Sequence, residues 1–92
     1  MGVVVKDKPS GEVRELPTHG VFIFIGFTPN VEIFGEALKT DQWGYIESDS
    51  LMRTNVPGVF SAGDVNAKHY RQITTAVADG TIAAIGVTKE LE

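Results

Sequence analysis

Apolar and polar positions divide the chain into segments of different period. Val3, Val4 and Val5 form a β-branched run, a residue type that favours strands. Asp7-Lys8-Pro9-Ser10-Gly11 is a dense turn signal. Glu12-Val13-Arg14-Glu15-Leu16 then alternates polar and apolar, and Pro17 ends the alternation. Together these predict a β-hairpin over residues 2–17. Gly20-Val21-Phe22-Ile23-Phe24-Ile25-Gly26-Phe27 is different, with no polar break between its two glycines. A run apolar on both faces predicts a central strand in a sheet covered on both sides.

Thr28-Pro29-Asn30 breaks that run. Asn30 is placed to cap a short helix with Ile33, Phe34, Ala37 and Leu38 on one face and Gly35 weakening its middle. Tyr45-Ile46-Glu47 reads as a short strand, and Thr54-Asn55-Val56-Pro57-Gly58 as a turn. Val59-Phe60-Ser61-Ala62-Gly63-Asp64 reads as a second short buried strand. A helix is predicted from Arg71 to Leu91, with Ile73, Val77, Gly80, Ala84, Val87 and Leu91 on one stripe. Ala76, Gly80, Ala83 and Gly86 keep one side of it small. The fold class is α/β: a small parallel sheet, an N-terminal hairpin and a long C-terminal helix.

Composition narrows the chemistry. A chain of 92 residues holds one small domain at most. It contains no cysteine, which excludes disulfides, thiolate metal sites and thiol catalysis by this chain. His19 and His69 are the only histidines, far apart in sequence, so no metal site is expected. The net charge of −4 argues against nucleic acid and anionic membranes as partners. The start lacks the basic-then-apolar pattern of a signal peptide, and no apolar run reaches membrane-spanning length, so the expected location is cytoplasmic. Met1 reads as an added start and Leu91-Glu92 as a cloning remnant, which fits a piece of a longer chain. The acidic residues are spread too evenly to nominate a catalytic carboxylate pair, and no catalytic residue is assigned.

Two places carry candidate binding chemistry. Ala62-Gly63-Asp64-Val65 lies at the C-terminal end of an expected parallel strand, the edge where open α/β sheets bind ligands. Gly63 allows close backbone approach, and Asp64 suits a hydroxyl-bearing chain such as ribose. The same pair reads equally as a turn that caps the next element. The helix start at Tyr70-Arg71-Gln72-Ile73 offers free N–H groups and a positive dipole end. Arg71 there reads either as a solvated surface cation or as one facing an anion.

In order and separation, three motifs resemble one family. Thr54 to Asp64 looks like the second FAD-contacting motif of flavoproteins with two dinucleotide-binding domains. Gly20 to Asn30 looks like their return from the NADPH domain to the FAD domain. Tyr70-Arg71-Gln72, followed by an Ala/Gly-rich helix, narrows the resemblance to thioredoxin reductase and its low-molecular-weight relatives. The resemblance implies a partial FAD/NAD(P)-binding, Rossmann-like domain. Residues 1–17 would end the NADPH-binding domain, and residues 18–92 would form the C-terminal part of the FAD-binding domain. It implies FAD contacts at Gly63, Asp64, Val65, Arg71, Gln72 and Ile73, with the Ile73 main-chain N–H at the pyrimidine edge of the flavin. NADP and a thioredoxin-like protein are implied for the parent enzyme only.

The departures are large. Both glycine-rich nucleotide motifs and the redox Cys-x-x-Cys are absent. The chain therefore resembles the C-terminal third of such an enzyme, with an incomplete FAD site and no expected activity alone. Its partner would be the missing N-terminal portion. Two alternatives stand beside this: an interaction module that dimerises or pairs with a separate N-terminal chain, and part of a ferredoxin–NADP reductase of the thioredoxin-reductase type.

Overall fold

The computed structural model describes residues 1–92. The hairpin forms as the alternation predicts. Strand β1 (Gly2–Lys6) pairs antiparallel with β2 (Val13–Pro17), with Val4 opposite Glu15. The turn is tied by Asp7, whose carboxylate accepts from the Ser10 hydroxyl at 2.6 Å and from the Ser10 N–H at 3.2 Å. These bonds hold the Asp7 pKa below the ordinary carboxylate value. Gly11 closes the turn at φ 74°, where a side chain would be strained.

The central strand does not form. None of the chain's hydrogen bonds involves the backbone of residues 21–30. Phe22 is 98% exposed and Ile25 93%. A strand exists only through its ladder, and no neighbouring strand lies beside this one. The second expected strand, 59–63, keeps a single antiparallel bridge, Arg53–Phe60. The expected parallel sheet reduces to one parallel bridge between Ile46 and Asn66, so the hairpin is the only sheet. The short helix after Asn30 is also reduced, to one 3-10 turn over Glu32–Phe34. Val31, not Asn30, precedes it, and Gly35 ends it at φ 54°.

Helix α1 runs Ile73–Glu90, so Arg71 lies outside it and Gln72 is its N-cap. The Gln72 N–H donates to Thr75 Oγ1 at 3.0 Å. Its small side meets the rest of the chain at Ala76, Ala83 and Gly86, which are half-buried, whereas Gly80 is exposed. A Cβ on Gly86 would come within 2.9 Å of the Phe60 ring, so helix and loop touch where only glycine fits. The larger stripe residues Ile73, Val77 and Leu91 stay exposed.

The order of the middle of the chain comes from polar groups. Tyr45, Ile46, Ser61 and Asn66 are the four buried residues. The Asn66 amide donates to Ser61 O at 2.7 Å and to Met52 Sδ at 3.4 Å, and its carbonyl oxygen accepts from the Ser61 hydroxyl. Ile46 donates to Val65 O at 2.9 Å and accepts from the Ala67 N–H at 2.8 Å. Met52 sits at φ 65°, a costly conformation for a side-chain-bearing residue. The Ser61 N–H bond to Met52 O at 2.9 Å and the Asn66 contact hold it there.

The radius of gyration is 19.6 Å and the longest extent 63 Å. A compact chain of this length has a radius near 12 Å. Hairpin and helix do not touch.

A groove at the helix start

Arg71 organises the approach to α1. Its Nε donates to Asp64 O at 2.9 Å and its Nη2 to Asn66 O at 3.1 Å. The guanidinium carbon lies 3.5 Å from the centre of the Tyr45 ring, a cation–π contact. The side chain is therefore neither a free surface cation nor turned toward a carboxylate. It binds two main-chain carbonyls and fixes the 64–66 turn against Tyr45.

An open groove of about 760 Å³ lies beside this clamp, lined by Phe24, Phe27, Asp64, Arg71, Gln72, Ile73, Ala76 and Val77. A smaller hollow of about 220 Å³ shares Phe27, Asp64 and Arg71 with it and adds Asn30, Tyr45 and Val65. Four sequence-nominated residues, Asp64, Arg71, Gln72 and Ile73, thus meet in one groove, and Val65 lines the adjoining hollow. Gly63 lines neither. At φ 98° it turns its N–H toward α1, donating to Asp79 Oδ2 at 3.1 Å.

The electrostatics of the groove are simple. The Asp64 carboxylate makes no hydrogen bond within the chain. The main-chain N–H groups of Ile73 and Thr74 have no acceptor within the chain and are among the donors that a helix start leaves without an intrahelical partner. The lining of the groove thus combines a free acceptor, Asp64, with the residue that opens α1, Ile73. Its apolar residues include Phe24 and Phe27, whose rings pack edge to face at 5.4 Å.

Phe24, Phe27, Ala76 and Val77 were not nominated from sequence as site residues. Their signal was present: the apolar run of 20–27, and helix positions one turn after Ile73. The Lys68–Asp79 ion pair, each side chain 15% exposed, had no sequence signal, because its members lie 11 positions apart on a loop and a helix.

Comparison with known proteins follows this geometry. Residues 3–80 match the family described as pyridine nucleotide-disulphide oxidoreductase. The Clostridium pasteurianum "34.2 kDa protein in rubredoxin operon" is 47% identical over 87 residues, covering 95% of this chain and 28% of that relative. The thioredoxin reductase of Treponema pallidum is 50% identical over 82 residues, covering 89% of this chain and 26% of that relative. The crystal structure of T. acidophilum thioredoxin reductase superposes with a TM-score of 0.85 at 41% identity, covering 99% of this chain and 31% of that one. The chain spans less than a third of the length of these relatives. It belongs to the pyridine nucleotide-disulphide oxidoreductase family and is similar to one portion of a thioredoxin reductase.

Proposed function

We propose that this chain supplies one wall of an FAD site in a thioredoxin-reductase-like oxidoreductase and is inactive without the rest of that enzyme. One observation carries the reading. The Asp64 carboxylate, the helix start at Gln72 and Ile73, and apolar side chains line a single groove, and neither that carboxylate nor the Ile73 N–H has a partner within the chain. That donor set fits a flavin nucleotide, which has an apolar ring, a hydrogen-bonding pyrimidine edge and a hydroxyl-bearing chain. When bound, the flavin supplies electron transfer between a nicotinamide and a disulfide.

The chain's own residues have separate tasks. The Ile73 N–H, with the dipole of α1 behind it, stabilises negative charge beside the helix start. Asp64 accepts from a hydroxyl. Phe24, Phe27, Ile73 and Val77, exposed in this chain alone, would shield a bound flavin from water. Arg71 holds the Asp64 main chain in place. Gln72 sits on the rim and Val65 in the adjoining hollow, while Gly63 acts through its backbone. The hairpin of residues 1–17 belongs to the NADPH-binding domain of the parent, and residues 18–92 to its FAD-binding domain. The partner is the polypeptide with the missing glycine-rich motifs and cysteine pair, and a thioredoxin-like protein is the downstream acceptor. A homodimer would bury the apolar run but would add neither a glycine-rich motif nor a cysteine, so the single-enzyme reading is preferred.

The test replaces the matching portion of a bacterial thioredoxin reductase with this chain. The chimera is expected to purify yellow and to reduce a disulfide with NADPH, while the 92-residue chain alone stays colourless. Asp64→Ala in the chimera should lower FAD content. A folded chimera free of flavin would overturn the proposal, as would micromolar FAD binding by the chain alone.

A further inference from the structure

Asp79 lies on α1 and does not line the groove, and no ligand contact is assigned to it above. It is nonetheless tied to the candidate site. One oxygen, Oδ2, accepts from the Gly63 N–H at 3.1 Å and also from the Lys68 ammonium. Gly63 and Lys68 flank the 64–67 turn, so a single carboxylate holds both ends of that turn against the helix. Arg71 holds the same turn from within, through Asp64 O and Asn66 O. The two anchors divide the work. Arg71 fixes the carbonyl side of the turn, and Asp79 fixes the amide that leads into it.

We infer that Asp79 is a positioning residue for the flavin cradle, setting the Gly63 peptide and through it the place of Asp64 in the groove. This inference rests on the FAD reading above. Its physical basis is the demand of Gly63. A residue at φ 98° turns its N–H away from the path of an extended strand, and a half-buried N–H needs an acceptor. Within the chain, Asp79 is that acceptor. Lys68 has a second task. Asp79 is only 15% exposed, and a carboxylate this far from water needs a paired charge. Lys68 balances Asp79, and Asp79 orients Gly63.

Three variants separate these tasks. Asp79→Ala removes both contacts. Asp79→Asn keeps an oxygen acceptor for Gly63 and removes the ion pair. Lys68→Met removes the ion pair and leaves the acceptor. Amide hydrogen exchange at Gly63 is measured by NMR on the full chain without flavin. Exchange at Gly63 should quicken about tenfold or more in Asp79→Ala, the loss expected for a hydrogen bond to a charged group. It should change less than about threefold in Asp79→Asn, the conservative rescue, because a neutral amide oxygen still accepts. Equal quickening in Lys68→Met and Asp79→Ala would overturn the inference, because the ion pair alone would then be the cause. A Gly63 amide unprotected in the native chain would overturn it too.

The second measurement uses the flavin-loaded chimera described under Proposed function. Asp79→Ala should weaken FAD binding about tenfold and shift the flavin visible spectrum, while Asp79→Asn should restore most of both. A yellow native chimera whose flavin is indifferent to Asp79→Ala overturns the inference and leaves the FAD reading standing. A native chimera without flavin, together with the expected exchange pattern, overturns the FAD reading and leaves the Asp79–Gly63 lock standing.

Discussion

Two stretches of this chain answer differently to the same lack of neighbours. Residues 21–27 are the most apolar in the sequence, yet they hold no hydrogen bond and lie open to solvent. Residues 40–71 are far more polar, and they hold their shape. The difference is in where each stretch finds its partners. An apolar strand needs a sheet beside it and layers above and below it. Turns built on Asp41 and Asp49 find their partners within four residues, and Asn66 and Arg71 find main-chain acceptors five to seven positions away. Asp41 Oδ1 accepts from the Trp43 and Tyr45 N–H groups, each at 2.9 Å. Asp49 does the same for Leu51 at 2.9 Å and Arg53 at 3.0 Å. Local polar bonding therefore persists in this chain, while the packing of its apolar run does not form.

The largest break in that comparison should come from Asn66→Ala. Asn66 is 2% exposed, and truncation leaves the Ser61 hydroxyl and carbonyl without their partner. Each orphaned buried group costs about 1–3 kcal/mol. Met52 would also lose a contact that holds its positive φ. The expected outcome is loss of order across residues 52–67, seen as collapse of amide protection there, while the hairpin keeps its own. Unchanged protection at Ser61 and Ala67 would show that the turn chain does not depend on its amide centre.

Arg71→Met should have the next largest effect. The variant keeps much of the aliphatic stem and removes two hydrogen bonds and the contact over Tyr45. Hydrogen bonds from charged groups contribute about 1.5–3 kcal/mol each at most, less where water can replace them. The expected loss is therefore about 2 kcal/mol, read from urea unfolding followed by Tyr45 and Trp43 fluorescence. Arg71→Lys should recover less than half of it, because an ammonium cannot reproduce the planar fork that spans two carbonyls and lies flat on a ring.

How far the sequence could be read follows the same division. The hairpin was legible because strand alternation and turn chemistry are local. The helix was legible because its period extends over five turns, and its start was misplaced by two residues because Gln72 caps it. The run at 20–26 is apolar on both faces, but that pattern describes a buried environment which this chain alone does not provide. Asp64, Arg71, Gln72 and Ile73 were nominated through the family resemblance, and the structure places the four along one groove. The role of Arg71 was not legible, because its acceptors are main-chain carbonyls, which carry no residue identity. The Asp79 lock was hidden for the same reason: its key partner is the backbone of a glycine.

A smaller effect is expected from acid. Hydrogen bonding from the Arg53 backbone, aided by its side chain at 2.7 Å, holds the Asp49 carboxyl below its ordinary range. Asp7 is lowered by Ser10 in the same way. A lowered carboxylate adds stability above its unfolded pKa and gives it up as pH falls through the lower folded value. Local order at 49–53 and 7–12 should therefore persist at neutral pH and fade in strong acid, below the ordinary aspartate pKa of 3.8. Asp49→Asn should abolish the acid step at 49–53 and leave that of the hairpin turn, as followed by amide shifts across an acid titration. An unchanged step at 49–53 in the variant would place the titrating group elsewhere.

The smallest effect on the chain itself should come from its most apolar residues. Ile23→Ser and Ile25→Ser change side chains that are already 79% and 93% exposed. Exposed substitutions away from special features usually fall within about 0.5 kcal/mol, so unfolding of the 92-residue chain should hardly move. The same two substitutions in the chimera, with its sheet restored, should cost about 2–4 kcal/mol together, as for buried aliphatic side chains. Self-association of the chain, measured by light scattering, should fall, because an uncovered apolar run is an aggregation surface. The contrast between the two backgrounds is the measurement. If both substitutions destabilise the isolated chain as much as the chimera, residues 21–27 are packed within this chain. If neither background responds, these residues do not join a sheet even in the chimera.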